Sequence, residues 1–567
     1  MKLKSKLSNK SKNQIAGLVN EAMRAYLMDQ LNIADQRCQK ILQIQANNPD
    51  ACNLLGKIAE KRGEPDRAKL LYEQGQQRHP NHPGLLASLG LLYGKLERYE
   101  LAIGQWQRLV KLSPNNPDAW QALSAQWYLL QQWDKAEEAA RKAIKLAPGR
   151  GELHTNLGRV LRMQRRHDEA IDCLNKAIGL IPDDIDSHYE LAMSTMENGS
   201  MDKAFIMFRN ILKWDGRHAP SLSMLMRFNK TTSYDETMKQ AESLCSDPAE
   251  SQENRALLAF SLGKSWEDLQ EYDQSFACYT EGNRIRRKNI TFEIEEEKRS
   301  TQEIKKLFTR QLFAERCREV SNGNGLLFIV GMPRSGSTLL SKIVAAHPKV
   351  IDTGETDELR EVAGLLTGGN SRQINLQNIL QCSNEQLGAA ADDYLARLRR
   401  FFGESAYYID KTLPNLWLIG FIHLLFPGAK IVHCTRNPLD NCFSIFSTDF
   451  EGSFFRFAYD LQDLGRYYLT YLDMMSYWKS VLPADSFYEI SYESLIAAPE
   501  EESRSLIAFS GLEWDDACLN YRTSKGSVQT SSLAQVRQPI YKSSIERWKR
   551  YEKHLQPLID ALGVATK

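Results

Sequence analysis

Pro333-Arg334-Ser335-Gly336-Ser337-Thr338 gathers one guanidinium, three hydroxyls and a glycine into six consecutive residues, a composition suited to an anion. The apolar run Leu326–Val330 before it reads as a strand buried on both faces of a parallel sheet, and Leu339, Leu340, Ile343 and Val344 after it have helical spacing. Backbone N–H groups at such a strand-to-helix turn have no intrahelical partner, and with the helix dipole they favour negative charge. Gly331 and Gly336 have the spacing of a phosphate-binding Walker loop, but Ser337 stands where that motif requires lysine. Without this cation the loop cannot grip a β/γ-phosphate pair, which counts against an ATPase or an ordinary kinase.

A second group follows. Ala429–Thr435 reads as another buried strand ending in Arg436-Asn437-Pro438, with Ser444 inside the helix that should start at Pro438. An arginine at the carboxyl end of a parallel strand sits where open α/β sheets bind ligands, and its planar fork suits a phosphate. Further on come Tyr488-Glu489-Ile490-Ser491-Tyr492-Glu493-Ser494-Leu495, then Ser531-Ser532-Leu533 and Glu546-Arg547-Trp548.

In this order the segments resemble sulfotransferases, and over about 285–567 the tyrosylprotein sulfotransferases in particular. The resemblance implies that Arg334, Ser335, Gly336, Ser337 and Thr338 bind the 5′-phosphosulfate of 3′-phosphoadenosine 5′-phosphosulfate (PAPS). It implies that Arg436 and Ser444 hold the 3′-phosphate, Tyr492 contacts the nucleotide and Ser532 reaches the sulfonate. Arg547 would reach the nucleotide where the family has lysine, keeping charge but changing geometry.

Catalytic roles follow from the same likeness. Gly354-Glu355-Thr356 resembles the family's Gly-Glu-Glu-Thr segment, which makes Glu355 the base for the acceptor hydroxyl, on what reads as a glycine-bounded loop. A hydroxyl acceptor needs such a base because its own pKa is far above neutral. His347 before Pro348 is the rival base, its other reading being a helix cap or packing role. Lys411, after the strand-like Tyr407–Asp410, resembles the lysine that steadies the transferring sulfonate and its bridging oxygen.

The first half of the chain is organised by repetition. Small residues recur every 34 positions at Ala22, Gly56, Gly90, Ser124, Gly158 and Ala192, and alanine recurs at Ala34, Ala68, Ala102, Ala136, Ala170 and Ala204. Prolines punctuate the repeats at Pro80, Pro114, Pro148 and Pro182. This period resembles tetratricopeptide (TPR) repeats, in which small residues let paired helices approach closely. The pattern degenerates after about Ala219 and returns at Gly263, Asp273, Ser275 and Phe276, predicting one more helical unit.

The expected organisation is α + α/β: a basic tail over 1–13, an all-α TPR solenoid over 14–285, a helical connector and linker over 286–324, and over 325–567 a P-loop-like α/β sulfotransferase domain with a central parallel sheet. Ser321–Gly325 reads as the domain linker, so a chain beginning near Glu295 is expected to fold and bind nucleotide by itself. With 72 basic and 71 acidic residues the net charge is +1, and no bulk field argues for nucleic acid or a membrane surface. The apolar run Leu416–Phe426 is too short to span a bilayer, and the basic Met1–Lys6 is followed by no apolar core. Ten cysteines without CxxC spacing fit reduced thiols and a cytoplasmic enzyme.

The expected function is sulfuryl transfer from PAPS, without a metal, to a protein or peptide tyrosine held on the concave TPR surface. A carbohydrate or small hydroxyl compound stays open as acceptor, and the array could instead serve homo-oligomerisation. A non-catalytic TPR scaffold that binds nucleotide is the leading alternative, and a phosphotransferase a weaker one.

Overall fold

The computed structural model describes residues 8–288, 290–317, 323–369, 374–450, 453–523 and 544–563. Packing divides the chain into two compact units, Met1–Ile211 and Leu212–Lys567.

The first unit is a succession of paired helices, among them Pro49–Lys61 with Pro65–Arg78, Pro83–Lys95 with Tyr99–Leu112, Pro117–Leu129 with Trp133–Leu146, and Gly151–Met163 with His167–Leu180. The recurrence of small residues has a steric cause. A Cβ on Gly56 would lie 2.2 Å from the Tyr72 ring, one on Gly90 2.6 Å from Trp106, and one on Gly158 2.6 Å from Leu174. Ser124 fills the equivalent place and donates its hydroxyl to the Ala136 carbonyl at 2.7 Å. The second series, Ala34 to Ala204, is wholly buried, so a larger side chain at either position would force the helices apart. Prolines at Pro49, Pro65, Pro83 and Pro117 open helices in the first turn, where a missing N–H costs nothing.

The second unit also begins with helices. Gln252–Asp268 and Tyr272–Arg287 repeat the earlier packing: a Cβ on Gly263 would lie 2.5 Å from Tyr279, and Ser275 donates to the Gly263 carbonyl at 2.7 Å. This returning repeat is fastened to the α/β part of its unit. Asn283 Nδ2 donates to the Phe446 carbonyl at 2.8 Å, Arg286 forks both Asp449 oxygens at 2.8 Å, and Phe276 stacks on the rings of Phe446 and His554.

The connector is likewise part of the core. Phe308, fully buried, fills the space that Gly420 leaves open, and the Tyr477 hydroxyl lies 2.7 and 2.9 Å from the Lys305 and Phe308 carbonyls. Residues 321 and 322 fall outside the described residues, but Gly323–Gly325 is no free spacer. Gly325 has φ 88°, its Cβ position lies 2.0 Å from the Ala406 carbonyl oxygen, and its own carbonyl accepts the Tyr408 N–H at 2.9 Å. These glycines allow close approach of backbone to backbone rather than flexibility. A chain beginning near Glu295 would therefore lack the helix pair that the α/β part packs against.

Five parallel strands form the sheet: β1 Leu326–Gly331, β2 Val350–Gly354, β3 Tyr407–Asp410, β4 Lys430–Thr435 and β5 Phe487–Ser491, in the order β2-β3-β1-β4-β5. β1 is buried throughout, with Phe328 and Val330 in one apolar core and Leu327 and Ile329 in the other. That explains why its sequence is continuously apolar rather than alternating. β2, Val350–Gly354, is an edge strand pairing β3, too short and too half-buried to announce itself in the sequence, and Glu355 lies in the loop that follows its end. The strand order reverses between β1 and β4, so the crevice beyond their carboxyl ends is where such a sheet binds ligands.

Candidate active site

The loop after β1 enters that crevice. Gly331 leaves the strand so close to β4 that a Cβ would lie 2.6 Å from the Cys434 carbonyl oxygen. Arg334 adopts φ 66°, and Gly336, at φ 106°, caps the helix Ser337–Ala345 with its Cβ position 2.6 Å from the Tyr492 ring. No larger residue fits at Gly336 without displacing Tyr492. Ser335 and Ser337 are buried, Thr338 is half-buried, and the Ser335 hydroxyl has no protein hydrogen-bond partner. Cys434 donates its thiol to the Ser335 carbonyl at 3.2 Å, and burial pushes that thiol's pKa up to about 12, so it supports the loop rather than acting as a nucleophile.

Arg436, at the end of β4, donates to the Arg334 carbonyl at 2.9 Å and to the Ser544 carbonyl at 2.6 Å, while its buried Nε has no protein partner. Its guanidinium lies 5.0 Å from the Tyr492 ring centre, and burial pulls its pKa down. The Tyr492 hydroxyl meets that of Ser544 at 2.9 Å. Helix Pro438–Phe446 carries Ser444, whose oxygen accepts from Arg334 Nε at 3.3 Å. Arg334, Arg436, Ser444 and Tyr492 are thus brought together at the switch point, as their order in sequence suggested.

Arg547 is held differently. Its Nε donates to Glu267 Oε1 at 2.6 Å, its second terminal nitrogen to Glu267 Oε2, and Nη1 to Ser447 Oγ at 2.9 Å, one helical turn beyond Ser444. Burial alone would raise the Glu267 carboxyl, but Arg547 outweighs it and holds Glu267 below the usual carboxylate range. Asp440 fixes the backbone around Arg547, accepting the Glu546 N–H at 2.6 Å and the Trp548 N–H at 3.0 Å. Sequence reading missed Glu267, Asp440, Ser544 and also Asn441, whose Nδ2 donates to the Pro333 carbonyl at 2.8 Å. Only Asp440 and Asn441 left a signal, as adjacent polar residues in a mostly apolar helix. Ser532 lies outside the described residues.

Glu355 and Lys411 meet beyond the ends of β2 and β3, where the ammonium forms an ion pair with Glu355 Oε1. The Lys411 side chain is only 4% exposed while that of Glu355 is 53% exposed, so the carboxylate faces outward with a buried cation behind it. Asp410, fully buried, receives the Tyr394 hydroxyl at 2.9 Å, the Thr412 N–H at 2.9 Å and Asn415 Nδ2 at 3.2 Å. Burial nevertheless raises its pKa to about 6. His347 is not placed to act as a base: Nε2 donates to the Glu513 carbonyl at 3.1 Å and Nδ1 accepts the Lys349 N–H at 3.2 Å, leaving no free lone pair.

The structure thus sets a lysine-free, glycine-bracketed loop at the switch point and an acid–lysine pair beyond the neighbouring strands. Residues 327–516 match the sulfotransferase family, and residues 53–123 and 125–185 match tetratricopeptide repeats. The chain therefore joins a TPR array to a sulfotransferase-family domain. It is 32% identical over 335 residues to an uncharacterized protein of Aquifex aeolicus, covering 58% of this chain and 44% of that one. Protein-tyrosine sulfotransferase 1 of Danio rerio is 25% identical over 242 residues, covering 39% of this chain and 65% of that one. Its namesake of Homo sapiens is 24% identical over 243 residues, covering 39% and 63%. The chain spans less than two thirds of the length of each. Among the described residues no helix is long and apolar enough to cross a membrane.

Proposed function

We propose that this protein transfers the sulfuryl group of PAPS to an acceptor hydroxyl, a tyrosine of a protein or peptide presented by the TPR array. The observation that carries this reading is the pairing of Glu355 with Lys411 beyond the strands that flank a lysine-free anion loop. PAPS suits the residues present: the Gly336-capped helix N-terminus and the unpartnered Ser335 hydroxyl suit the 5′-phosphosulfate, and the unpartnered Arg436 Nε is left for the 3′-phosphate. Arg436 and Ser444 hold the 3′-phosphate, with Tyr492 against the nucleotide, while Arg547, expected to reach the nucleotide, is engaged by Glu267 and Ser447 and supports the end of the Ser444 helix instead.

In the reaction the bond between the sulfonate sulfur and the 5′-phosphate oxygen breaks as a new bond forms from sulfur to the acceptor oxygen. Glu355 takes the acceptor proton, and adenosine 3′,5′-bisphosphate leaves. Lys411 has three N–H donors, so it can keep Glu355 and still reach the bridging oxygen, where charge grows as the bond breaks. Ser532 assists the sulfonate. The ten free cysteines fit a reducing, cytoplasmic setting.

The test is incubation of the full chain with sulfur-labelled PAPS and tyrosine-containing peptides, with the product identified by mass spectrometry. Labelled tyrosine O-sulfate is expected. Label on a carbohydrate or small hydroxyl compound would move the acceptor class, and label that stays on PAPS with every acceptor would overturn the reading.

A further inference from the structure

The backbone ladder between β2 and β3 ends where the Lys411 N–H donates to the Gly354 carbonyl at 2.9 Å. Glu355 and Lys411, the pair on which the proposed chemistry depends, sit at this point, and one residue further a side chain takes over from the ladder. The Thr412 hydroxyl accepts the Thr356 N–H at 2.8 Å and donates to the Thr356 carbonyl at 2.9 Å. A hydroxyl is the smallest side-chain group that can do both. Thr412 is itself fixed: it is 6% exposed, and its N–H is held by Asp410, whose carboxylate is anchored by Tyr394 and Asn415.

We propose that Thr412 is a positioning residue for sulfuryl transfer, its hydroxyl clamping Thr356 so that Glu355 and Lys411 are held at a fixed separation. The inference rests on the reading of Glu355 as base and Lys411 as sulfonate ligand. Without the clamp the turn after β2 loses both hydrogen bonds from Thr356 to Thr412, and the outward-facing Glu355 carboxylate is held less firmly relative to the buried ammonium. A shift of that kind affects the chemical step more than nucleotide binding, because Arg334, Arg436 and Ser444 lie on other elements.

Thr412→Val keeps the shape and removes both hydrogen bonds, whereas Thr412→Ser keeps both. The full chain is assayed for labelled sulfate lost from PAPS to water and to a tyrosine peptide, for binding of adenosine 3′,5′-bisphosphate by calorimetry, and for amide exchange at Thr356. With Thr412→Val, turnover should fall about tenfold or more at unchanged bisphosphate affinity, and the Thr356 amide should exchange at least about tenfold faster. Thr412→Ser should match the wild type in all three.

Turnover of Thr412→Val within twofold of wild type, or equal losses in Thr412→Val and Thr412→Ser, would overturn the proposal. If the wild type turns over no PAPS, the functional reading fails instead. Amide exchange then decides the clamp alone, and equal exchange in Thr412→Val and wild type overturns it.

Discussion

Glu267 and Arg547, 280 residues apart in sequence, form a largely buried fork, their side chains 15% and 17% exposed, in which both carboxylate oxygens receive guanidinium N–H groups. Glu267 belongs to a helix that looks by sequence like the end of the repeat array, and Arg547 to the last described segment of the chain, beyond the residues that match the sulfotransferase family. The repeat-like pair Gln252–Arg287 is therefore a wall of the α/β unit, and removing it strips Arg547 of its ion-pair partner. In the full chain Glu267→Ala should cost about 3–5 kcal/mol of stability, the usual effect of breaking one partner out of a buried pair. A chain starting at Leu212 should unfold cooperatively and bind adenosine 3′,5′-bisphosphate, while one starting near Glu295 should do neither. Thermal melts and calorimetry on the two chains check this.

Nucleotide selectivity should rest on Arg436, whose Nε is buried beside Ser544 and the Arg334 carbonyl without a protein acceptor. Adenosine 3′,5′-bisphosphate should bind more tightly than AMP, and Arg436→Ala should remove about 1.5–3 kcal/mol of that difference, the size of a charge-assisted hydrogen bond. Equal calorimetric affinities of the wild type for both nucleotides would contradict the assignment.

Glu355→Gln keeps size and most hydrogen bonding but removes the proton acceptor, so turnover should drop by about 10²–10⁴ with nucleotide affinity unchanged. His347→Ala should leave turnover near normal, because both ring nitrogens already serve backbone groups. Steady-state kinetics on the two variants separate the roles, and the reverse ranking would transfer the base to His347.

Asp410 supplies a pH test. Its pKa rises from 3.8 unfolded to about 6 in the folded protein, so between these values the native state binds the extra proton and stability falls as pH rises. Asp410→Asn should abolish that component, and the difference between wild type and variant should change by about 2 kcal/mol from pH 4 to pH 6. Urea unfolding at several pH values measures it, and a flat difference would show that Asp410 titrates normally.

Local chemistry made much of this protein legible. The small residues at Gly56, Gly90 and Gly158 declared paired helices because one tight contact recurs in each repeat, and the run Leu326–Val330 declared a doubly covered strand because both faces must be apolar. Order along the chain then brought Arg334, Arg436, Ser444 and Tyr492 into one hypothesis, since Arg334, Arg436 and Tyr492 follow the ends of strands and Ser444 lies on the helix after one of them. What sequence could not determine is which distant partner each polar group takes. Glu267 carries no local mark that it meets Arg547, Gly323–Gly325 reads as a linker although its glycines serve close packing, and Thr412 looks like any turn threonine until β2 and β3 are paired. Hydrogen bonds between segments far apart in the chain depend on register and docking, which arise only when the sheet and its covering helices have assembled.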